Sequence, residues 1–285
     1  MTAASPPPMA NRVWIVTGAN SGIGKATALG LARLGGTVVM ACRSPTRGEA
    51  ARAEIVRESG NPHVAVMIVD LASEASVRAF AEEFTRTYPR LDVLINNAGV
   101  YTSHREMTED GLERQFEVNY LSEFLLTHLL LDPLKRSAPS RIVNVSSSAH
   151  EGGTIRFDDL QGEQRYGGFR AYNQSKLAQV LFTRELATRL VGSGVTVNAC
   201  HPGVIRTNLG MGGASPIVRF VRMFFKSPEK GAETPIFLAA SPEVEGVTGK
   251  YFAKMQVRTP SRAAQDASVA RRLFDISAQL THVTG

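Results

Sequence analysis

The chain has 285 residues, 43% of them hydrophobic and 20% charged, the make-up of an ordinary soluble protein with material for one substantial core. Its formal net charge of +6 comes from scattered Lys and Arg, with no basic run and no interleaved aromatics. That excludes a dedicated nucleic-acid binder and leaves a mild attraction for phosphate-bearing small molecules.

Residues 1–11 carry a three-proline run and lack the basic and apolar regions of a secretory signal. They are expected to form a disordered tail ahead of a single domain at 12–285, with no export and a cytoplasmic location. From there, short β-branched runs alternate with longer amphipathic ones, the mark of repeated βα units. Strands are expected at 13–17, 37–41, 64–69, 91–95, 141–146, 195–199 and 248–252, each short and bounded by Gly, Asn, Pro or charged residues. Among the intervening helices, 24–34 closes on Gly35-Gly36, and 73–88 opens with Ser73 and Glu74 and stops at Pro89. The two cysteines, Cys42 and Cys200, form neither a CxxC pair nor a disulfide framework and read as members of buried strands. The greasiest stretch, 124–134, is interrupted by Thr127, His128, Asp132 and Pro133, short of the roughly 20 apolar residues of a membrane span.

The first strand runs into Gly18, Asn20, Ser21, Gly22, Ile23 and Gly24. Glycines there permit a tight turn and close approach of a pyrophosphate, and the following helix offers free N–H groups and its positive end. The second strand ends Met40-Ala41-Cys42-Arg43-Ser44. An NAD site places an acid at such a strand end, whereas a ribose 2′-phosphate favours Arg. The acid is missing, so NADP(H) is expected, held by Arg43 with Arg47 as a weaker second contact; a solvated strand-end charge is the other reading of Arg43. Asp70-Leu71 follows the third strand, where Asp70 alone reads equally as a helix cap. Asn96-Asn97-Ala98-Gly99 follows the fourth as a polar turn of small residues. Asn119 interrupts an apolar helix, and a strand ends in Ser146-Ser147. Tyr172 and Lys176, four residues apart, share one helix face. An ammonium beside a phenol lowers its pKa by roughly one to three units, which makes the phenol a usable acid or base. His201 has no partner pattern of a metal site.

These motifs together resemble the short-chain dehydrogenases/reductases over nearly the whole chain. The insertion at 150–170 with Phe157-Asp158-Asp159-Leu160, the run Phe182-Thr183-Arg184-Glu185-Leu186 and Gly249-Lys250-Tyr251-Phe252 are similar to the retinol-dehydrogenase-like and WW-domain-oxidoreductase-like branch. The resemblance implies an α/β fold, a single Rossmann-type doubly wound domain whose seven-stranded parallel sheet carries helices on both faces. It implies catalysis by Asn119, Ser147, Tyr172 and Lys176, with Ser146 the fallback for Ser147 and Asn119 supporting a water chain from Lys176. It places Asp70 and Leu71 at the adenine, Asn97, Ala98 and Gly99 at the adenosine, Lys176 at the nicotinamide ribose, and Pro202, Gly203, Val204 and Thr207 at the nicotinamide end. A light-driven protochlorophyllide reductase would carry cysteine at the position of Val204.

The expected reaction is hydride transfer between NADP(H) and a carbonyl or alcohol carbon. A substrate lid at about 209–230 holds the apolar cluster Ile217, Val218, Phe220, Val221, Met223, Phe224 and Phe225. It points to a small lipophilic substrate such as a retinoid, a steroid or a hydrophobic aldehyde or ketone, and with Arg219, Arg222 and Lys226 to peripheral membrane contact. Reduction of xenobiotic carbonyls or a quinone, and a non-catalytic NADP-binding interaction protein, are the rival readings. The assembly is expected to be a monomer or homodimer.

Overall fold

The computed structural model describes residues 9–203 and 227–283. Strand β1 (Val13–Thr17) is buried throughout, and its pleat splits its side chains between two layers. Val13 and Ile15 face one core with Phe80, Phe84, Phe124 and Phe182; Trp14 and Val16 face the other with Leu31, Met40 and Ile55. A sheet greasy on both faces must be covered on both. Helices α1 (Gly22–Ala32) and α2 (Pro45–Ser59) supply one cover. The opposite cover comes from α3 (Glu74–Thr87), a π-helical turn at Glu117–Leu121 that continues the short α4 (Arg114–Phe116), and α5 (Ser122–Leu129).

The remaining strands are β2 (Thr37–Cys42), β3 (Val64–Ile68), β4 (Val93–Asn96), β5 (Ser140–Val145), β6 (Val195–His201), β7 (Tyr251–Ala253) and β8 (Gln256–Arg258). Their order is β3-β2-β1-β4-β5-β6-β7-β8. The chain winds outward from β1 to β3 and then crosses back to β4, so a crevice opens beyond the carboxyl ends of β1 and β4, where open α/β sheets bind ligands. The expected seven-stranded parallel sheet needs one correction: an eighth strand, β8, runs antiparallel to β7. The hairpin turns on Lys254 and Met255, both at positive φ (53° and 60°). Left-handed two-residue turns are usually written Asn-Gly or Asp-Gly, so this pair carried no signal.

The expected apolar stretch 124–134 divides between α5 and α6 (Leu131–Arg136). No helix among the described residues is long and apolar enough to cross a membrane. Ser73 caps α3, its hydroxyl accepting from Ser76 N. The long helix α7 (Gly168–Arg189) begins one turn before Tyr172, and α8 (Pro228–Ala240) and α9 (Ala267–Leu280) complete the two covers. Both cysteines are buried.

Candidate active site

The end of β1 is locked to the end of β4 by Thr17, whose hydroxyl accepts from Asn97 N (2.9 Å) and Ala98 N (3.0 Å) while Asn97 Nδ2 donates to its carbonyl (2.8 Å). Gly18 leaves the strand at φ 65°, a left-handed conformation that a side chain disfavours. A Cβ on Gly24 would be driven into the Gly18 carbonyl oxygen and would lie 2.5 Å from Asn97 Nδ2. Ser21, at the N-cap of α1, makes no side-chain capping bond, so the helix start presents N–H groups uncapped by any neighbouring hydroxyl. Arg43 and Arg47 line the same cavity as these glycines. Cys42 is turned inward against the backbone N–H groups of Ala19 and Asn20, and burial pushes its thiol up to about 11. A glycine cradle, an open helix start and two guanidiniums therefore face one space, and they fit the pyrophosphate and 2′-phosphate of a dinucleotide.

That space, of about 850 Å³, continues past Asp70, Leu71, Asn97, Ala98 and Gly99 to Ser147, Tyr172, Lys176, Pro202 and Gly203. Asp70 is not the cap of α3; its Oδ1 accepts from Ala72 N (3.0 Å) and holds the turn after β3. Val204, Thr207 and residues 209–226 of the expected lid lie outside the described residues, and Pro228–Lys230 open α8.

At the far end, Ser147 follows β5 and accepts from Ala149 N (3.2 Å) at the start of a 3₁₀ turn. Its hydroxyl hydrogen-bonds the Tyr172 phenol. The neighbouring Ser146 is buried, and its hydroxyl donates to the Lys176 carbonyl (2.8 Å). Lys176 is buried, with Nζ donating to Val145 O (3.2 Å) and Gln179 Oε1 (2.9 Å), 5.6 Å from the centre of the Tyr172 ring. Burial raises the Tyr172 pKa, and the Ser147 hydrogen bond opposes the rise only in part. Lys176 Nζ is turned toward Gln179, and the direction of the Tyr172 shift is set by burial. Burial lowers Lys176 itself.

Asn119 does not line the cavity. It sits in the π-helical turn with Nδ2 donating to Val100 O and Ser175 Oγ (both 3.0 Å) and Oδ1 accepting from Val100 N (2.7 Å). It pins the chain after Gly99 to α7, and a Cβ on Gly99 would stand 3.4 Å from its Oδ1 and 3.6 Å from Lys176 Nζ.

Residues 12–215 match the short chain dehydrogenase family. The chain belongs to that family. It is 50% identical over 288 residues to retinol dehydrogenase 14 of Homo sapiens, a match covering 94% of this chain and 86% of that protein. Among solved structures, a protein of Mycobacterium paratuberculosis is 37% identical with a TM-score of 0.81, covering 99% of this chain and 98% of that one. A short chain dehydrogenase from Escherichia coli complexed with NADPH is 26% identical with a TM-score of 0.69, covering 87% and 98%.

For a short-chain dehydrogenase, the residues that sequence reading missed are those whose partners come from distant segments. Thr17 acts across 80 residues. His201 Nδ1 accepts from Ser148 N (3.2 Å) and Gly203 N (3.3 Å), joining the Ser147 loop to the Pro-Gly turn. Within the inserted segment, Tyr166 donates to Glu113 (3.0 Å) and Gln161 accepts from Glu113 N (2.6 Å). None of these has a local motif.

Proposed function

We propose that the chain is an NADP(H)-dependent oxidoreductase that interconverts the carbonyl and alcohol of a small lipophilic molecule of the retinoid, steroid or hydrophobic aldehyde class. The observation that carries the reading is one continuous cavity with Arg43 and Arg47 at one end and Ser147, Tyr172 and Lys176 at the other. The end of β2 reads Cys42-Arg43-Ser44-Pro45, without an acid, which favours NADP(H) over NAD. The lipophilic class is supported by the retinol dehydrogenase relatives and by the rings outside the catalytic group. Tyr101 meets Tyr172 edge-on at 6.0 Å and Phe169 at 4.9 Å, and Phe169 is 65% exposed.

When bound, the nicotinamide supplies or accepts the hydride. Tyr172 holds the proton that the carbonyl oxygen takes up, and the raised pKa of its buried phenol suits it to the donor role. Ser147, whose oxygen already accepts from Ala149 N, aims its O–H at the substrate oxygen and stabilises the charge developing there. Lys176 places a cation near the phenol and would hold the ribose hydroxyls of the bound dinucleotide, and Pro202 and Gly203 would border its nicotinamide end. Asn119 fixes the wall that carries Gly99.

The test follows NADPH absorbance with a panel of retinaldehyde, steroid ketones, alkyl aldehydes and quinones. Turnover is expected with lipophilic carbonyls, and Tyr172→Phe is expected to lower kcat by roughly 10²–10⁴-fold with NADPH binding retained. Turnover intact in Tyr172→Phe, or none across the panel despite NADPH binding, would overturn the reading; a preference for quinones would reassign the substrate.

A further inference from the structure

Behind Lys176 lies a group the reaction as drawn does not use. Glu123, on α5, faces α7 from the interior side and is only 5% exposed. Gln179, fully buried, stands between the two: its Oε1 accepts from Lys176 Nζ (2.9 Å) and its Nε2 donates to Glu123 Oε2 (2.5 Å). The other oxygen, Oε1, finds no partner among the described residues. A primary amide has one donor end and one acceptor end, so this bridge has a single orientation, Lys176 on one side and Glu123 on the other; burial raises the Glu123 carboxyl, and the Gln179 amide and Lys176 oppose that rise. A buried charge needs a counter-charge, and among the described residues no carboxylate forms an ion pair with Lys176 directly.

We propose that Glu123 is a positioning residue for the reaction, the buried counter-charge that, through the Gln179 amide, holds Lys176 as an ammonium and fixes where that ammonium stands. This rests on the Tyr172–Lys176 reading above. The titratable groups facing the pair are few. Cys200 on β6 approaches both, and burial raises its thiol to about 12, leaving it neutral. Tyr120, in the π-helical turn, faces Glu123, donates or accepts only with Ser277 Oγ (2.8 Å), and is raised by its own burial. Tyr172 is the remaining neighbour of Lys176. Among the described residues Glu123 is the carboxyl that favours the charged lysine, against a burial that disfavours it. The Gln179 amide carries the influence by hydrogen bonding and field, since it cannot pass a proton along without rearranging.

The deciding experiment is the pH dependence of kcat for carbonyl reduction by NADPH in wild type, Glu123→Gln and the exchanged double variant Glu123→Gln/Gln179→Glu. Reduction is lost as pH rises through the loss of the Lys176 proton. Removing the counter-charge should move that alkaline limb down by about one unit or more, roughly a tenfold loss on the alkaline side, with kcat near pH 6 within about twofold of wild type. The double variant, which returns a carboxylate to Lys176, should restore the limb. A uniform loss at every pH, or a double variant no better than the single, overturns the proposal and leaves Glu123 a packing residue. Tyr172→Phe run alongside separates the two ideas: if it kills turnover and the limb does not move, only this inference fails. In the wild-type protein labelled at lysine 13Cε, the buried Lys176 should remain an ammonium at pH 7; a neutral amine there overturns the proposal without any variant or any turnover.

Discussion

Arg43 and Gly24 show how much a single position decides at the cofactor end. Arg43 offers a fork of donors at the end of β2, one residue after Cys42. Arg43→Asp is expected to weaken NADP(H) binding by roughly tenfold or more, the worth of a charge-assisted bond, and to raise relative use of NAD. Cofactor titration checks this, and an unchanged NADP(H) preference would remove Arg43 from the role. Gly24 is a steric case: its missing Cβ leaves room for the Gly18 carbonyl and the Asn97 amide. Both neighbours are held, Asn97 by Thr17, so Gly24→Ala cannot be accommodated by a side-chain swing. A loss of about 1–3 kcal/mol in stability, together with loss of NADPH binding, is expected from thermal melts with and without cofactor. A Gly24→Ala protein that binds NADPH normally would show that the turn is looser than drawn.

At the scale of elements, the π-helical turn Glu117–Leu121 sets both a catalytic wall and a stability liability. Its wide turn points Asn119 at the Val100 backbone and α7 and also buries Glu117 completely. Burial pushes the Glu117 carboxyl up to about 8, with the Thr108 hydroxyl opposing and Asp110 adding to the rise. A carboxyl raised from 4.5 on folding contributes its stability below that unfolded value, and loses it as pH climbs through about 8. Glu117→Gln removes the ionisation, so its melting temperature should exceed that of wild type by an amount that grows from pH 5 to pH 9. The gain at pH 9 should be on the order of 1–3 kcal/mol, several degrees. A difference that stays constant across that range would sink the explanation.

For the molecule as a whole, Asp92 ties the start of the fold together. It is buried at the foot of β4 and accepts from Val13 N (2.8 Å), Arg12 (2.7 Å) and Arg90 (2.6 and 2.9 Å). Asp92→Ala would strand these donors and should cost about 3 kcal/mol, roughly 6–12 °C in Tm, readable by calorimetry. A shift under one degree would mean that water replaces the carboxylate at no cost. How far such features were legible follows from their range along the chain. The βα alternation, the glycine turn, Arg43 and the Tyr172–Lys176 spacing are local patterns, and each foretold its place in the crevice. Hairpin β7–β8, Thr17, Gln179, Glu123 and the bond made by Ser146 were invisible because their meaning lies in partners across the sheet or between helices. The burial of the phenol was out of reach for the same reason: spacing on one helix reports a neighbour, while burial depends on everything else that closes around it.

Ser146 has the widest reach of these details. Its hydroxyl fastens strand β5 directly to the carbonyl of Lys176, so the distance between the reactive serine and the reactive tyrosine is set by a peg rather than by the loop that joins them. The bond joins the end of β5 to α7 without passing through the inserted residues, which are anchored separately, to Glu113 and to Gln174. A change within the insertion therefore leaves the β5–α7 spacing with a fastening of its own.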